Sequence, residues 1–123
     1  MLEVVVVGRI KPEGMAVLEA RSDIGVRMVD GDDPATLLDA VATAAAILVR
    51  TTPIGADVIA AASALRVVSR HGVGYDNVDV AALNARGIPL AIAAAANRIS
   101  VAEHALAMLL TLAKAALPHD AAV

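Results

Sequence analysis

The run from Leu2 to Gly8, with four consecutive valines from Val4 to Val7, constrains the fold more than any other segment of this chain. A strand with one wet face alternates apolar and polar side chains. A run without that alternation reads as a strand buried on both faces, the kind found inside parallel sheets. Parallel strands need crossover connections, normally helices, and the sequence supplies them in turn. Lys11 to Arg21 reads as a helix with Pro12 in its first turn, and Gly25 to Val29 as a second strand. Asp33 is placed as N-cap before Pro34 at N1, opening a helix to about Thr43. Ala46 to Val49 reads as strand three. Thr52 and Pro53 open a helix through Ala62, and Leu65 to Ser69 reads as strand four. Asp79 to Ala85 is a short helix closed by Arg86 and Gly87, the glycine suiting the left-handed position after a helix end. Ile88 to Ile92 is strand five. Ser100 and Glu103 have capping-box spacing at the start of the last helix. The expected fold class is α/β: a five-stranded parallel sheet flanked by helices.

The last helix carries a second inference. Val101, Leu106, Met108, Leu109, Leu110 and Leu112 wrap most of its circumference, and a helix apolar all round is buried in its working state. A five-stranded sheet covers one side of it, so a second domain or a second subunit is expected on the other. A membrane is not the cover: Glu103, His104, Thr111 and Lys114 interrupt Val101 to Leu117, and a bilayer span wants about 20 mostly uncharged residues.

Composition removes several function classes. Hydrophobic residues make up 59% of the 123 residues, which argues against disorder. Tyr75 is the only aromatic residue, so base stacking has no platform. The net charge of −3 leaves no electrostatic footprint for nucleic acid. With no cysteine, disulfides, thiolate nucleophiles and cysteine metal sites are excluded. His71, His104 and His119 show no metal-ligand spacing. The N-terminus enters its first strand without the pattern of a secretory leader, and a reducing cytoplasm is the expected setting.

Chemistry concentrates after strand four, in Arg70-His71-Gly72-Val73-Gly74-Tyr75-Asp76-Asn77-Val78-Asp79. Backbone left bare by Gly72 and Gly74 can bring N–H groups close to a small anion; the competing reading is a tight turn whose glycines only permit positive φ. The spacing fails the dinucleotide fingerprint G-x-G-x-x-G, because Asn77 stands where its third glycine belongs. Arg50, at the end of strand three, shares the sheet edge with this loop if the two strands are sequential and parallel. Its guanidinium fork suits a carboxylate, the plain alternative being a solvated strand-end arginine. Asn97 either meets a ligand or satisfies its own loop. Glu103 and His104 are adjacent on a helix, so their side chains diverge by about 100° and cannot act as a pair. Asp76 and Asp79 are expected to cap the following helix, with a general-base role as the alternative.

The stretch Leu65 to Asp79 resembles the R-x-G-x-G-x-D-N-x-D segment of the D-isomer-specific 2-hydroxyacid dehydrogenases. Arg86-Gly87-Ile88-Pro89 is similar to the family's R-G-I-P, and Asn97 to His104 to its N-x-x-S-V-A-E-H. Val49-Arg50-Thr51-Thr52 resembles its strand-end arginine loop. The resemblance implies a flavodoxin-like substrate domain over residues 1–98 and, over 99–123, an interdomain and dimerisation helix with a truncated tail. It implies that Gly72, Val73 and Gly74 hold the carboxylate of a 2-hydroxy or 2-oxo acid, with Arg50 and Asn97 lining the same site. It implies NAD or NADP as cofactor, and either a homodimer or a complementing cofactor domain meeting the helix Ser100 to Leu117. The family's cofactor fingerprint and its catalytic Arg, Glu and His match no position here, so no catalytic residue is assigned. Ala93 to Ala96 replaces the small-Pro-Gly hinge of many members. The chain is expected to be the N-terminal portion of a dehydrogenase, inactive alone. The alternative is a stand-alone flavodoxin-like binding module.

Overall fold

The structure is a computed structural model that describes residues 1–31 and 33–121. It divides into two compact units, Met1–Ala93 and a second beginning at Ala94. The first holds β1 (Leu2–Val7), α1 (Pro12–Glu19), β2 (Ile24–Val29), α2 (Pro34–Val41), β3 (Ala46–Val49), α3 (Ala56–Ala61), β4 (Val67–Arg70), α4 (Val80–Ala85) and β5 (Leu90–Ile92). The second holds α5 (Arg98–Ala113) and α6 (Ala116–Asp120).

All five strands are parallel, in the order β2-β1-β3-β4-β5, the flavodoxin-like arrangement of doubly wound sheets. The valine run behaves as its pattern requires. Val5 and Val7 face one side and Val4 and Val6 the other, and all four are buried. On the first side they join Ile47, Val49 and Val68 against Leu37, Ala40 and Val41 of α2, Val58 and Ile59 of α3, and Leu83 of α4. Each large apolar side chain so buried contributes roughly 1.5–3 kcal/mol. On the second side Met15 of α1 covers Val4 and Val6, with Leu18, Ile24, Val26 and Leu48 packed around them. α1 therefore lies on one face and α2 on the other. The chain reverses between β1 and β3, which makes the crevice at their carboxyl ends a topological switch point.

Local signals decide several boundaries. Asp33 is the N-cap of α2, and its carboxylate accepts from the N–H groups of Ala35 and Thr36. Pro12 and Pro34 open their helices as placed. Gly87 has φ +64° after α4.

Other boundaries move. α3 does not open at Thr52 and Pro53. Ile54 is drawn into a parallel bridge with Val78, and the helix starts one turn later at Ala56 with Gly55 as N-cap. β4 begins and ends later than Leu65 to Ser69, reaching Arg70 in register with Val49. The capping box at Ser100 and Glu103 is not used. Asn97 is the N-cap of α5, and its carbonyl accepts from Val101 N–H at 2.9 Å. Ser100 is thus inside the helix.

The last helix is also shorter than Ser100 to Leu117. Pro118 has no N–H to give the Lys114 carbonyl, and its ring clashes with that carbonyl. The chain breaks there, with Ala115 at φ +48°, before α6. α5 carries no buried residue; Leu106 is 60% exposed and Leu112 78%.

Candidate functional site

β3 and β4 are neighbours with Val49 opposite Arg70, so Arg50 and the loop from His71 leave the sheet at the same carboxyl edge. Arg50 is exposed and sits beside the switch point, where open α/β sheets place ligands. The two groups thus share one edge of the sheet, as expected from sequential parallel strands.

The two glycines of the loop do different work. Gly72 is half-buried with φ +152°; its N–H donates to Arg70 O at 2.9 Å and its carbonyl accepts from Ala93 N–H at 2.9 Å. A Cβ on Gly72 would fall 1.3 Å from Arg70 Nη1, so the guanidinium lies against this backbone. Gly74 has no positive φ, and a Cβ there would meet only Asp76 Oδ1 at 3.5 Å. The tight-turn reading therefore holds at Gly72 and not at Gly74. Among the described residues the N–H groups of Val73 and Gly74 donate no hydrogen bond, and both residues are exposed. Two consecutive free N–H groups at a strand's carboxyl end can accept a carboxylate or another small anion.

Arg70 and Asn77 shape this edge through contacts the pattern did not show, and Arg86 ties helices away from it. Arg70 donates from Nη1 to His71 O at 3.3 Å, and its Nε is buried without a partner. Asn77 donates from Nδ2 to Thr52 O at 2.9 Å, while its Oδ1 is buried and unpartnered. Arg86 reaches back to α3, donating to the carbonyls of Ile59, of Ala62 at 3.0 Å and of Ser63 at 3.3 Å. It satisfies the orphan carbonyls of that helix end and places a cation at its negative pole. Only the motif positions hinted at Arg70, Asn77 and Arg86; their partners were not readable.

Asp79 caps α4, accepting from Ala82 N–H at 2.9 Å. Asp76 caps nothing among the described residues and is exposed. The Asn97 side chain makes no cap hydrogen bond. No group of three or more His, Cys, Asp or Glu among the described residues is arranged to hold a metal ion. None of the described helices is long and apolar enough to cross a membrane.

The loop does not suit a dinucleotide pyrophosphate. The Gly72 N–H is already bonded, Asn77 occupies the third-glycine position with its amide committed to Thr52, and the following helix has only six residues.

A profile of the family described as D-isomer specific 2-hydroxyacid dehydrogenase, catalytic domain, matches residues 4–118. The chain belongs to that family. The D-3-phosphoglycerate dehydrogenase of Mycobacterium leprae is 48% identical over 101 residues, covering 81% of this chain and 19% of that protein. That of Mycobacterium tuberculosis H37Rv is 44% identical over 121 residues, covering 98% and 22%. The chain thus spans about a fifth of the length of these curated relatives. A crystal structure of a Pyrococcus horikoshii OT3 protein superposes with TM-score 0.81 at 26% identity, over 98% of this chain and 36% of that one. The NADPH-dependent glyoxylate/hydroxypyruvate reductase of Sinorhizobium meliloti, solved with citrate, gives TM-score 0.77 at 26% identity over 90% and 34%. The flavodoxin-like α/β fold expected from the sequence is the fold these relatives share.

Proposed function

We propose that these residues form the substrate-carboxylate half of an NAD(P)-dependent D-2-hydroxyacid dehydrogenase, with D-3-phosphoglycerate as the substrate suggested by the mycobacterial relatives. The observation that carries the reading is the pair of free N–H groups at Val73 and Gly74 on the edge that also bears Arg50. The N–H pair takes the carboxylate of the acid. The Arg50 guanidinium supplies a bidentate cation to a carboxylate or phosphate oxygen pair. Asn97, which the resemblance adds to the site, stands at the start of α5 in the second unit.

Hydride transfer belongs to a nicotinamide bound elsewhere in the working enzyme. The Gly72 loop offers it no pyrophosphate cradle, so these 123 residues bind and orient the acid and do not transfer hydride alone. α5 is read as the surface that meets a second copy or the cofactor domain. Its exposed leucines form the kind of patch that marks an interaction site.

The test is a titration of the ¹⁵N-labelled chain with D-3-phosphoglycerate, followed by amide shifts. Half a site should bind weakly, with Kd of order 1 mM, equivalent to about −4 kcal/mol. Val73, Gly74 and the Arg50 side chain should move together and saturate with one Kd. Shifts confined to residues away from this edge would overturn the reading, as would no response at ~50 mM, some fiftyfold above that Kd.

A further inference from the structure

Two loops make the carboxylate site, and they come from different crossovers. Arg50 stands on the β3–α3 loop; Val73 and Gly74 stand on the β4–α4 loop. Their separation is fixed only if something ties one loop to the other. The β3 and β4 pairing ends at Val49 and Arg70, with His71 N–H donating to Val49 O at 2.7 Å as its last rung, before Arg50 or Val73 is reached.

Beyond the ladder, three hydrogen bonds join the loops, and all involve Asn77 or its neighbours. Ile54 N–H donates to Asn77 O at 2.8 Å, Asp79 N–H donates to Ile54 O at 2.9 Å, and Asn77 Nδ2 donates to Thr52 O at 2.9 Å. The backbone pair closes the Ile54–Val78 bridge around two buried side chains. The side-chain bond is different in kind. It grips Thr52, two residues from Arg50, and extends the link toward the site. The Asn77 side chain also buries its Oδ1 without a partner, which costs stability.

Resting on the function proposed above, we infer that Asn77 is a positioning residue: its amide donor holds the Thr52 carbonyl so that Arg50 stands at a fixed distance from the Val73 and Gly74 N–H groups. It touches no substrate and acts through the Arg50 loop. The donor is what matters. An aspartate of the same shape presents oxygen to the Thr52 carbonyl and pushes the loop away; an alanine leaves it untied.

The experiment compares the chain with N77A, N77D and a matched destabilised control, R86A. Arg86 ties α3 to α4 and lies outside the proposed site. Oxalate, read at the Val73 and Gly74 amides, is the probe. Thermal midpoints and amide exchange at Ile54 and Asp79 are recorded in parallel. Both Asn77 variants should raise the apparent Kd about tenfold, the equivalent of about 1.4 kcal/mol. They should also speed exchange at Ile54 and move the Thr52 carbonyl ¹³C shift. R86A should lower the thermal midpoint at least as much and leave Kd unchanged.

Equal weakening by R86A would reduce Asn77 to a stabilising residue and overturn the inference. So would oxalate binding by N77A at the parental Kd, or Thr52 and Ile54 signals that stay where they were. If the parent chain itself ignores oxalate and D-3-phosphoglycerate, the underlying function fails. The Thr52 and Ile54 signals still report then whether Asn77 ties the loops.

Discussion

Replacing Gly72 and Gly74 by alanine, one at a time, should give opposite results within a single motif. At Gly72 the backbone has φ +152°, outside the regions an L-residue with a Cβ fills readily, and holding such a residue there costs on the order of 1–3 kcal/mol. Alanine recovers about 0.4–1 kcal/mol by restricting the unfolded chain. The net loss is then roughly 1–2 kcal/mol. A domain of this size loses about 4–8 °C of thermal midpoint per kcal/mol, so G72A should melt between ~4 and ~16 °C below the parent. The 1.3 Å approach of its Cβ to Arg70 Nη1 adds less than it suggests. That atom ends a flexible side chain held by one 3.3 Å hydrogen bond, and it can swing aside. At Gly74 there is no positive φ, and the nearest atom to a Cβ is Asp76 Oδ1 at 3.5 Å, so G74A should melt within a few degrees of the parent, or above it. Thermal and urea denaturation followed by circular dichroism measure both variants. Repeating G72A in an R70A background separates the causes, because removing the guanidinium relieves the collision and leaves the dihedral. The cost of G72A should persist there. Its disappearance, or equal losses at the two glycines, would refute the assignment of the turn to Gly72.

Two further outcomes follow from local electrostatics and from exposed apolar area. The Thr36 hydroxyl, and then the N–H groups of Thr36 and Ala35, hold the Asp33 carboxyl below the usual carboxylate range. Its folded value lies below its unfolded value, so the stabilisation is complete above the unfolded value and is lost as pH falls through the folded one. D33N should flatten this part of the acid limb of the stability curve; a carboxyl titrating at its ordinary value by ¹³C NMR would contradict the capping geometry. For α5, sedimentation of the chain should show a dimer that L106E/L110E converts to monomer, and a parent that stays monomeric at ~100 µM would remove the homodimer arm of the proposal.

What the sequence disclosed follows the range of the interactions involved. The Val4 to Val7 run, the Asp33-Pro34 start and the Gly87 stop depend on neighbours within a turn or on burial of a whole strand, and all three stand as read. The start of α3 depends on Val78, which takes Ile54 into a bridge across the sheet edge and overrides a respectable Thr-Pro opening. At α5 a good capping box lost to a start one turn earlier, because Asn97 ends the preceding loop and its carbonyl already accepts from Val101. Capping chemistry permits both starts. The end of α5 at Ala113, four residues ahead of Leu117, was foreshadowed by Pro118, yet the apolar pattern running on to Leu117 concealed it. Arg86 shows the limit most plainly. Its partners lie 23 to 27 residues upstream, and no local pattern announces a guanidinium that closes another helix.

The same limit explains why this glycine loop reads ambiguously until its hydrogen bonds are known. A pyrophosphate cradle and a carboxylate cradle both begin with G-x-G after a strand. They part at the sixth position. A third glycine there lets a helix N-terminus approach a large anion. Asn77 instead commits a side-chain donor to the neighbouring loop, and α4 starts later, capped by Asp79. The carboxylate of Asp79 lies over the α4 N-terminus and already takes the Ala82 N–H, so a phosphate there would meet a like charge and a filled donor. Among the described residues the loop N–H groups from Val73 to Asn77 are left free, while Asp79 takes one N–H of the α4 start. On the proposed reading, adjacent loop donors beside one arginine, with a carboxylate already over the helix start, favour a small planar anion over a pyrophosphate by charge.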